Sequence, residues 1–191
     1  MLFLWVISMN SQEKIPFINS EKLFNSAEQF AGNGDFKMAI TYLDSIHPSD
    51  SIYLNSIKNK SYYLLQMDQY KEVIKVSDSG IAFKTMRESK ATFYINKVVA
   101  YLQMKEYEKA FNLIEEALKK YPVEPLLYYN KGVALDNLKR PEEAAKALYQ
   151  CIIYSPFFPS AHLYLGNLSY RQGMFAQALM SFNLVFTTKW Y

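Results

Sequence analysis

A small residue returns along this chain at a nearly constant interval, and that recurrence limits the fold more than any other feature. Ala39, Val73, Ala110, Ala144 and Ala178 are separated by 34, 37, 34 and 34 residues. Three places before each of them stands Phe36, Tyr70, Tyr107, Pro141 or Phe175. Twelve places before each comes Ala27, Ser61, Val98, Gly132 or Gly166, mostly small. A bulky Leu43, Ile114, Leu148 or Phe182 follows four places after, and Ser77 is the misfit. A fixed period of this length marks stacked units, each too small to bury its own apolar face.

Each unit reads as two amphipathic helices. In Lys105 to Tyr121 the apolar Tyr107, Ala110, Phe111, Ile114 and Leu118 recur at intervals of three and four, and charges hold the other face. Small residues on both helices let the two backbones approach closely, while aromatic side chains fill the space on either side. Short polar turns such as Asn33-Gly34-Asp35 and Gln172-Gly173-Met174 join the helices antiparallel. Pro48, Pro122 and Pro156 close units. Residues 20–191 divide into units near 20–53, 54–90, 91–124, 125–158 and 159–191, with an insertion of three residues near Lys84 to Ser89.

This pattern resembles the tetratricopeptide repeat (TPR), in which an aromatic, Leu-Gly and Tyr on the first helix precede Ala, Phe, Ala and Pro on the second. The fifth unit carries Leu165-Gly166, Phe175, Ala178 and Phe182. The fourth carries Lys131-Gly132, Pro141 to Ala144, and Pro156. The third carries Tyr94, Tyr101, Tyr107, Ala110, Ala117 and Pro122. The first unit matches moderately and the second weakly. The resemblance implies an all-α fold, an α-solenoid of about five helix-turn-helix units wound into a right-handed superhelix. It further implies a protein–protein interaction scaffold that holds a peptide or protein segment in its concave groove.

Composition narrows the function in the same direction. The net charge of +3 is too small for a dedicated nucleic-acid surface. One cysteine and two histidines leave no material for a multi-cysteine metal site. Cys151 shares a small-residue column with Ala117, so it reads as a packing residue rather than a nucleophile. His162 shares an aromatic column with Tyr94 and Tyr128, and His47 precedes Pro48 at a helix end. Gly32-Asn33-Gly34 follows a helix, not a strand, and reads as a turn rather than a phosphate loop. Glu115-Glu116 and Glu142-Glu143 are adjacent pairs that cannot face one another on a helix; the second pair suits a helix start after Pro141. The expectation is a non-enzyme without cofactor or metal.

One constellation points to binding. Asn25, Asn59, Asn96 and Asn130 occupy the same place in units one to four, with Tyr164 in the fifth. Stacking would align them as a ladder of amides able to pair with the polar groups of an extended peptide; the alternative is hydrogen bonding within the array. The same register lines the groove with Lys58, Tyr62, Ile95, Val99, Tyr129, Val133, Leu163 and Asn167, mostly apolar and aromatic. The carboxylate clamp of chaperone-binding TPR proteins needs Lys, Asn and Arg where this chain has Tyr62, Leu126 and Asn130. Recognition of an acidic C-terminal tail is therefore disfavoured.

The two ends carry expectations of their own. Leu2 to Ile7 form an apolar run too short to span a bilayer. Residues 1–19 read either as the remnant of a secretory signal with a linker, which implies a periplasmic or secreted protein, or as a greasy tail on a cytoplasmic one. The last helix offers Phe182, Leu184, Val185, Phe186 and Trp190, apolar on more than one side, where a solenoid is expected to carry a polar cap. That predicts self-association or further chain. Two alternative roles follow: the sensor or docking portion of a larger signalling protein, or an exported envelope-assembly factor of a bacterium.

Overall fold

The computed structural model describes residues 19–84 and 90–187. Among them run ten α-helices and no strand. They are α1 (Ser20–Gly32), α2 (Phe36–Asp44), α3 (Tyr53–Gln66), α4 (Tyr70–Ala82), α5 (Ala91–Gln103), α6 (Tyr107–Lys120), α7 (Pro125–Asn137), α8 (Pro141–Tyr154), α9 (Pro159–Arg171) and α10 (Phe175–Thr187). The start signals are local. Asn19 and Asp35 accept from the amides of Lys22 and Met38 at 3.0 and 3.1 Å, while Pro125, Pro141 and Pro159 open α7, α8 and α9. Of the insertion near Lys84 to Ser89, residues 85–89 lie outside the described residues.

All five turns within the units are built alike. A residue with positive φ stands two places before each second helix: Gly34 (81°), Asp68 (56°), Lys105 (61°), Lys139 (63°) and Gly173 (76°). The next amide then donates back across the turn at 2.9 Å, to Phe30, Leu64, Tyr101, Leu135 or Ser169. That bond closes a Schellman motif over the orphan carbonyls of the first helix. Only two of the five positions hold glycine, so the other three bear the steric penalty of the left-handed region. Lys139→Gly is expected to raise unfolding free energy by about 0.5–1 kcal/mol, read as a higher denaturant midpoint at unchanged slope; an unchanged or lower midpoint would contradict it.

Packing follows the two residue columns. Ala27, Ala39, Val73, Val98, Ala110 and Ala144 are fully buried. A methyl group added at Gly132 would lie 2.7 Å from Leu148 Cγ, and one at Gly166 2.5 Å from the Phe182 ring. The glycines are therefore the hollows that receive the bulky column. In the second unit both columns hold serine: Ser61 and Ser77 are sealed, and the Ser77 hydroxyl has no hydrogen-bond partner. Unit two compensates across its junction instead. Gly80 on α4 leaves the hollow that Phe93 on α5 fills, with Leu54 and Ile57 in the same cluster.

Each helix packs on its neighbours in the chain, and first helices also meet directly, α3 with α5 and α5 with α7. This puts the first helices on the inner side of the array. Ion pairs fasten three successive junctions at one repeated place: Lys60 to Asp44 (2.5 Å), Lys97 to Asp78 (2.6 Å) and Lys131 to Glu115 (2.6 Å). Each lysine directly follows an asparagine of the amide column on the first helix of its unit, and each carboxylate sits five places after the core Ala or Val of the preceding unit. At the fourth junction the same two places hold Leu165, which is buried, and Tyr149, which is exposed. This repeated ion pair thus ends before the C-terminal junction, where Asp136 of α7 instead meets Tyr164 and Arg171 of α9.

The last helix departs from expectation in one respect. Phe182 does not belong to an outward patch, because its ring fills the space above Gly166. Leu184 is exposed, while the Val185 and Phe186 side chains and Trp190 lie outside the described residues. Among the described residues, the other large apolar side chains exposed on α10 and the turn before it are Met174, Phe175, Leu179 and Met180.

Candidate functional site

The inner face of the first helices gathers the side chains that the register assigns to a groove. Tyr62 on α3 and Leu163 on α9 are 51% and 48% exposed, and Leu126 at the start of α7 is 40% exposed. Between them Ile95 and Val99 on α5 and Tyr129 and Val133 on α7 are half-buried. Asn167 is exposed, and half-buried Lys58 donates to Asn55 at 3.2 Å. Ring contacts hold the aromatics in place: Tyr129 packs against Phe158 and Tyr164 with centroids 5.4 and 6.2 Å apart. Burial pushes the Tyr129 hydroxyl above its ordinary range, so it stays protonated.

The four asparagines are not equal rungs. Asn25 is exposed and Asn59 half-buried, whereas Asn96 and Asn130 are 6% and 5% exposed. Asn96 donates through Nδ2 to Ser61 Oγ at 2.7 Å, across the junction between α5 and α3. The equivalent neighbour of Asn130 is Val98, which has no side-chain acceptor, and Asn130 Nδ2 is buried without a partner. At these two places the amide column lies mostly inside the array. Close packing of successive first helices draws the middle of the column inward, and Asn25 on α1 is its one exposed asparagine.

The sequence reading missed a polar group at the C-terminal end of the groove. Tyr164 Oη donates to Asp136 Oδ2 at 2.8 Å, and Arg171 Nη2 donates to the same oxygen at 2.6 Å. Burial, then the bond to Asp136, pushes the Tyr164 hydroxyl far above its ordinary range. Tyr164, Asn167, Tyr170 and Arg171 line a shallow cavity of about 330 Å³ beside this cluster. The signal for it was the replacement of the column asparagine by Tyr164.

The remaining candidates take packing roles. Cys151 is fully buried, and burial pushes its thiol up to about 11, so the thiolate is suppressed near neutral pH. His162 Nε2 donates to the Pro156 carbonyl at 2.8 Å; Tyr128 Oη donates to the Pro122 carbonyl, one repeat earlier, at 2.9 Å. The histidine therefore substitutes for a tyrosine in a recurrent loop clasp. His47 lies in a loop beside Ser49, with Nδ1 to Oγ at 2.8 Å. Glu143 forms a bidentate pair with Arg140, and Glu116 accepts from Tyr94 and Lys120. Gly32-Asn33-Gly34 forms the α1–α2 turn. Among the described residues no group of His, Cys, Asp and Glu gathers to hold a metal ion, and no helix is long and apolar enough to cross a membrane.

Comparison with known proteins places this architecture. A family model described as "Tetratricopeptide repeat" matches residues 95–155, spanning α5 to α8. Residues 95–155 thus match the tetratricopeptide-repeat family, and the other helix pairs of the array repeat the same unit. A curated yeast relative from Saccharomyces cerevisiae, "Small glutamine-rich tetratricopeptide repeat-containing protein 2", is 32% identical over 81 residues. That match covers 42% of this chain and 23% of the relative. A thermophilic TPR protein of Thermus thermophilus superimposes with a TM-score of 0.72 at 16% identity, covering 88% of this chain and 91% of that one. MamA from Desulfovibrio magneticus RS-1 gives 0.69 at 19% identity, covering 89% and 94%. At such identities the two structures establish the shared fold alone. TPR repeats generally mediate protein–protein interaction, and they do so as scaffolds rather than as enzymes.

Proposed function

We propose that this TPR array binds a peptide or protein segment reversibly along the inner face of its first helices. The observation that carries the reading is the apolar row of Tyr62, Val99, Val133 and Leu163 at one register of successive first helices, half-buried in the middle and exposed at its two ends. Tyrosine faces lose little side-chain entropy on binding, which suits them as anchors. Three charges near the row are already paired: Arg171 is held by Asp136, and Lys97 and Lys131 fasten junctions. The ligand is thus a segment with apolar anchors spaced along an extended or helical backbone. An acidic tail is disfavoured further, because the clamp position Asn130 is buried. Mechanistically the surface is largely preformed and performs no covalent chemistry.

The test is a display screen of short random peptides against the intact chain, followed by titration of the best binder. Enrichment of apolar and aromatic anchors is expected. Leu163→Glu should weaken binding by at least about tenfold, equivalent to ~1.4 kcal/mol, with helix content unchanged because the side chain is half exposed. A binder that tolerates Leu163→Glu and also Tyr62→Glu would place recognition elsewhere and defeat the proposal.

A further inference from the structure

We infer that the α9–α10 end of the array is a two-fold interface with a second copy of this chain. The inference is independent of what occupies the groove. It rests on comparing equivalent places on the five second helices. Phe36, Tyr70, Tyr107 and Pro141 are half-buried beneath the following unit, whereas Phe175 in the same place is 64% exposed. Ile40, Ile74, Phe111 and Ala145 are likewise half-buried, and Leu179 is 62% exposed. To this point the surface is what any open solenoid end would show.

The apolar surface goes further around α10 than a stacked repeat would reach. Places that stay exposed in every unit hold Lys37, Lys71, Glu108 and Glu142, then Ala176 in α10. Four residues on they hold Thr41, Lys75, Asn112 and Lys146, then Met180, which is 69% exposed. No charged residue occurs anywhere from Phe175 to Thr187. By the pattern of the other units, a sixth repeat would cover Phe175 and Leu179 and leave Met180 in water, whereas a wider partner would cover all three.

The opposite end of the array does not supply it. The outward face of α1 presents Lys22, Asn25, Ser26 and Gln29, polar and mostly exposed. Equivalent places on α9 are filled by buried Ala161, Leu165 and Leu168. Head-to-tail stacking would press that polar face onto an apolar one and desolvate it without compensation. Pairing α10 with α10 of a second copy brings apolar side chains together and meets no like charge. It also closes the assembly at two copies, the commonest symmetry of homo-oligomers.

The scale fits a weak dimer. Tyr170, Met174, Phe175, Leu179 and Met180 are between 38% and 69% exposed. At roughly 150–250 Å² for a fully exposed aromatic side chain, they present on the order of 500 Å² per copy. A symmetric pair would then bury about 1,000 Å² in total, near the lower bound for specific association.

The experiment is sedimentation velocity on the full 191-residue chain across about a hundredfold range of concentration. A monomer–dimer equilibrium is expected that dissociates on dilution. The double variant Leu179→Lys, Met180→Lys should be monomeric throughout with unchanged helix content, since both side chains are exposed. Gln29→Arg, on the outward face of α1, should dimerise like the parent. The inference fails if the parent is monomeric at every concentration, or if the lysine variant still associates. It fails equally if association grows beyond dimers or is abolished by Gln29→Arg, since either result means head-to-tail contact.

Discussion

Phe93→Ala is expected to split the unfolding of this array into two stages. The Phe93 ring is fully buried in the hollow left by Gly80, and it joins α5 to Leu54 and Ile57 on α3. Truncating a buried phenylalanine costs about 3–5 kcal/mol, a large share of the ~5–15 kcal/mol that stabilises a typical domain. The site matters because unit two has little else to spare. Its paired columns hold Ser61 and Ser77, and the Ser77 hydroxyl is sealed without a partner. In a solenoid, stability is approximately a sum of unit and junction terms, so losing one junction uncouples the units on either side. Denaturant titration by circular dichroism should show α1 to α4 melting before α5 to α10, each phase with a reduced slope. Hydrogen exchange should assign the early phase to residues before the insertion. A single transition displaced by less than about 1 kcal/mol would show that the junction is held by something other than this ring.

The second large effect is Leu148→Ala, and its partner substitution reverses sign. Leu148 is fully buried over Gly132, so truncation leaves two small residues facing each other across α7 and α8. Loss of burial together with the cavity is worth about 2–5 kcal/mol. Gly132→Ala in the parent puts a methyl 2.7 Å from Leu148 Cγ and 3.3 Å from the Ala144 carbonyl. Overpacking of that kind costs about 1–3 kcal/mol, more than the ~1 kcal/mol that alanine gains over glycine in a helix. In the Leu148→Ala background the contact with Leu148 is gone and only the 3.3 Å approach to the Ala144 carbonyl remains, so the favourable terms outweigh it. Gly132→Ala should therefore destabilise the parent and stabilise the truncated variant. Equal effects in the two backgrounds would mean that the glycine is not shaped around Leu148, and that the column pairing drawn from the repeat is incidental.

The columns themselves were legible before any coordinates, because repetition shows each packing constraint five times. That the bulky Leu148 and Phe182 fill the hollows at Gly132 and Gly166 was decided by the fold. The αL turns were half legible: Gly34 and Gly173 announce them, whereas Asp68, Lys105 and Lys139 hold the same backbone by tertiary constraint against their own preference. The junction ion pairs were present as two columns, lysine after asparagine and a carboxylate five places after the core residue. They escaped notice because their meaning depends on which helix of the next unit comes within reach.

The candidate site divides along the same line. Periodicity by itself determined that the chain is a helical repeat, which residues share a face, and that the row from Tyr62 to Leu163 is apolar. It could do so because side-chain direction on a helix follows from spacing alone. Tertiary structure decided how deep each residue of that face lies. Asn96 and Asn130 have the same place as Asn25, yet they are buried, because first helices press together in the middle of the array and not at α1. Likewise Phe175 and Leu179 match residues that are half-buried elsewhere, and only the stacking shows them uncovered. Burial depends on neighbours distant in the chain, and no local pattern records which of them arrive.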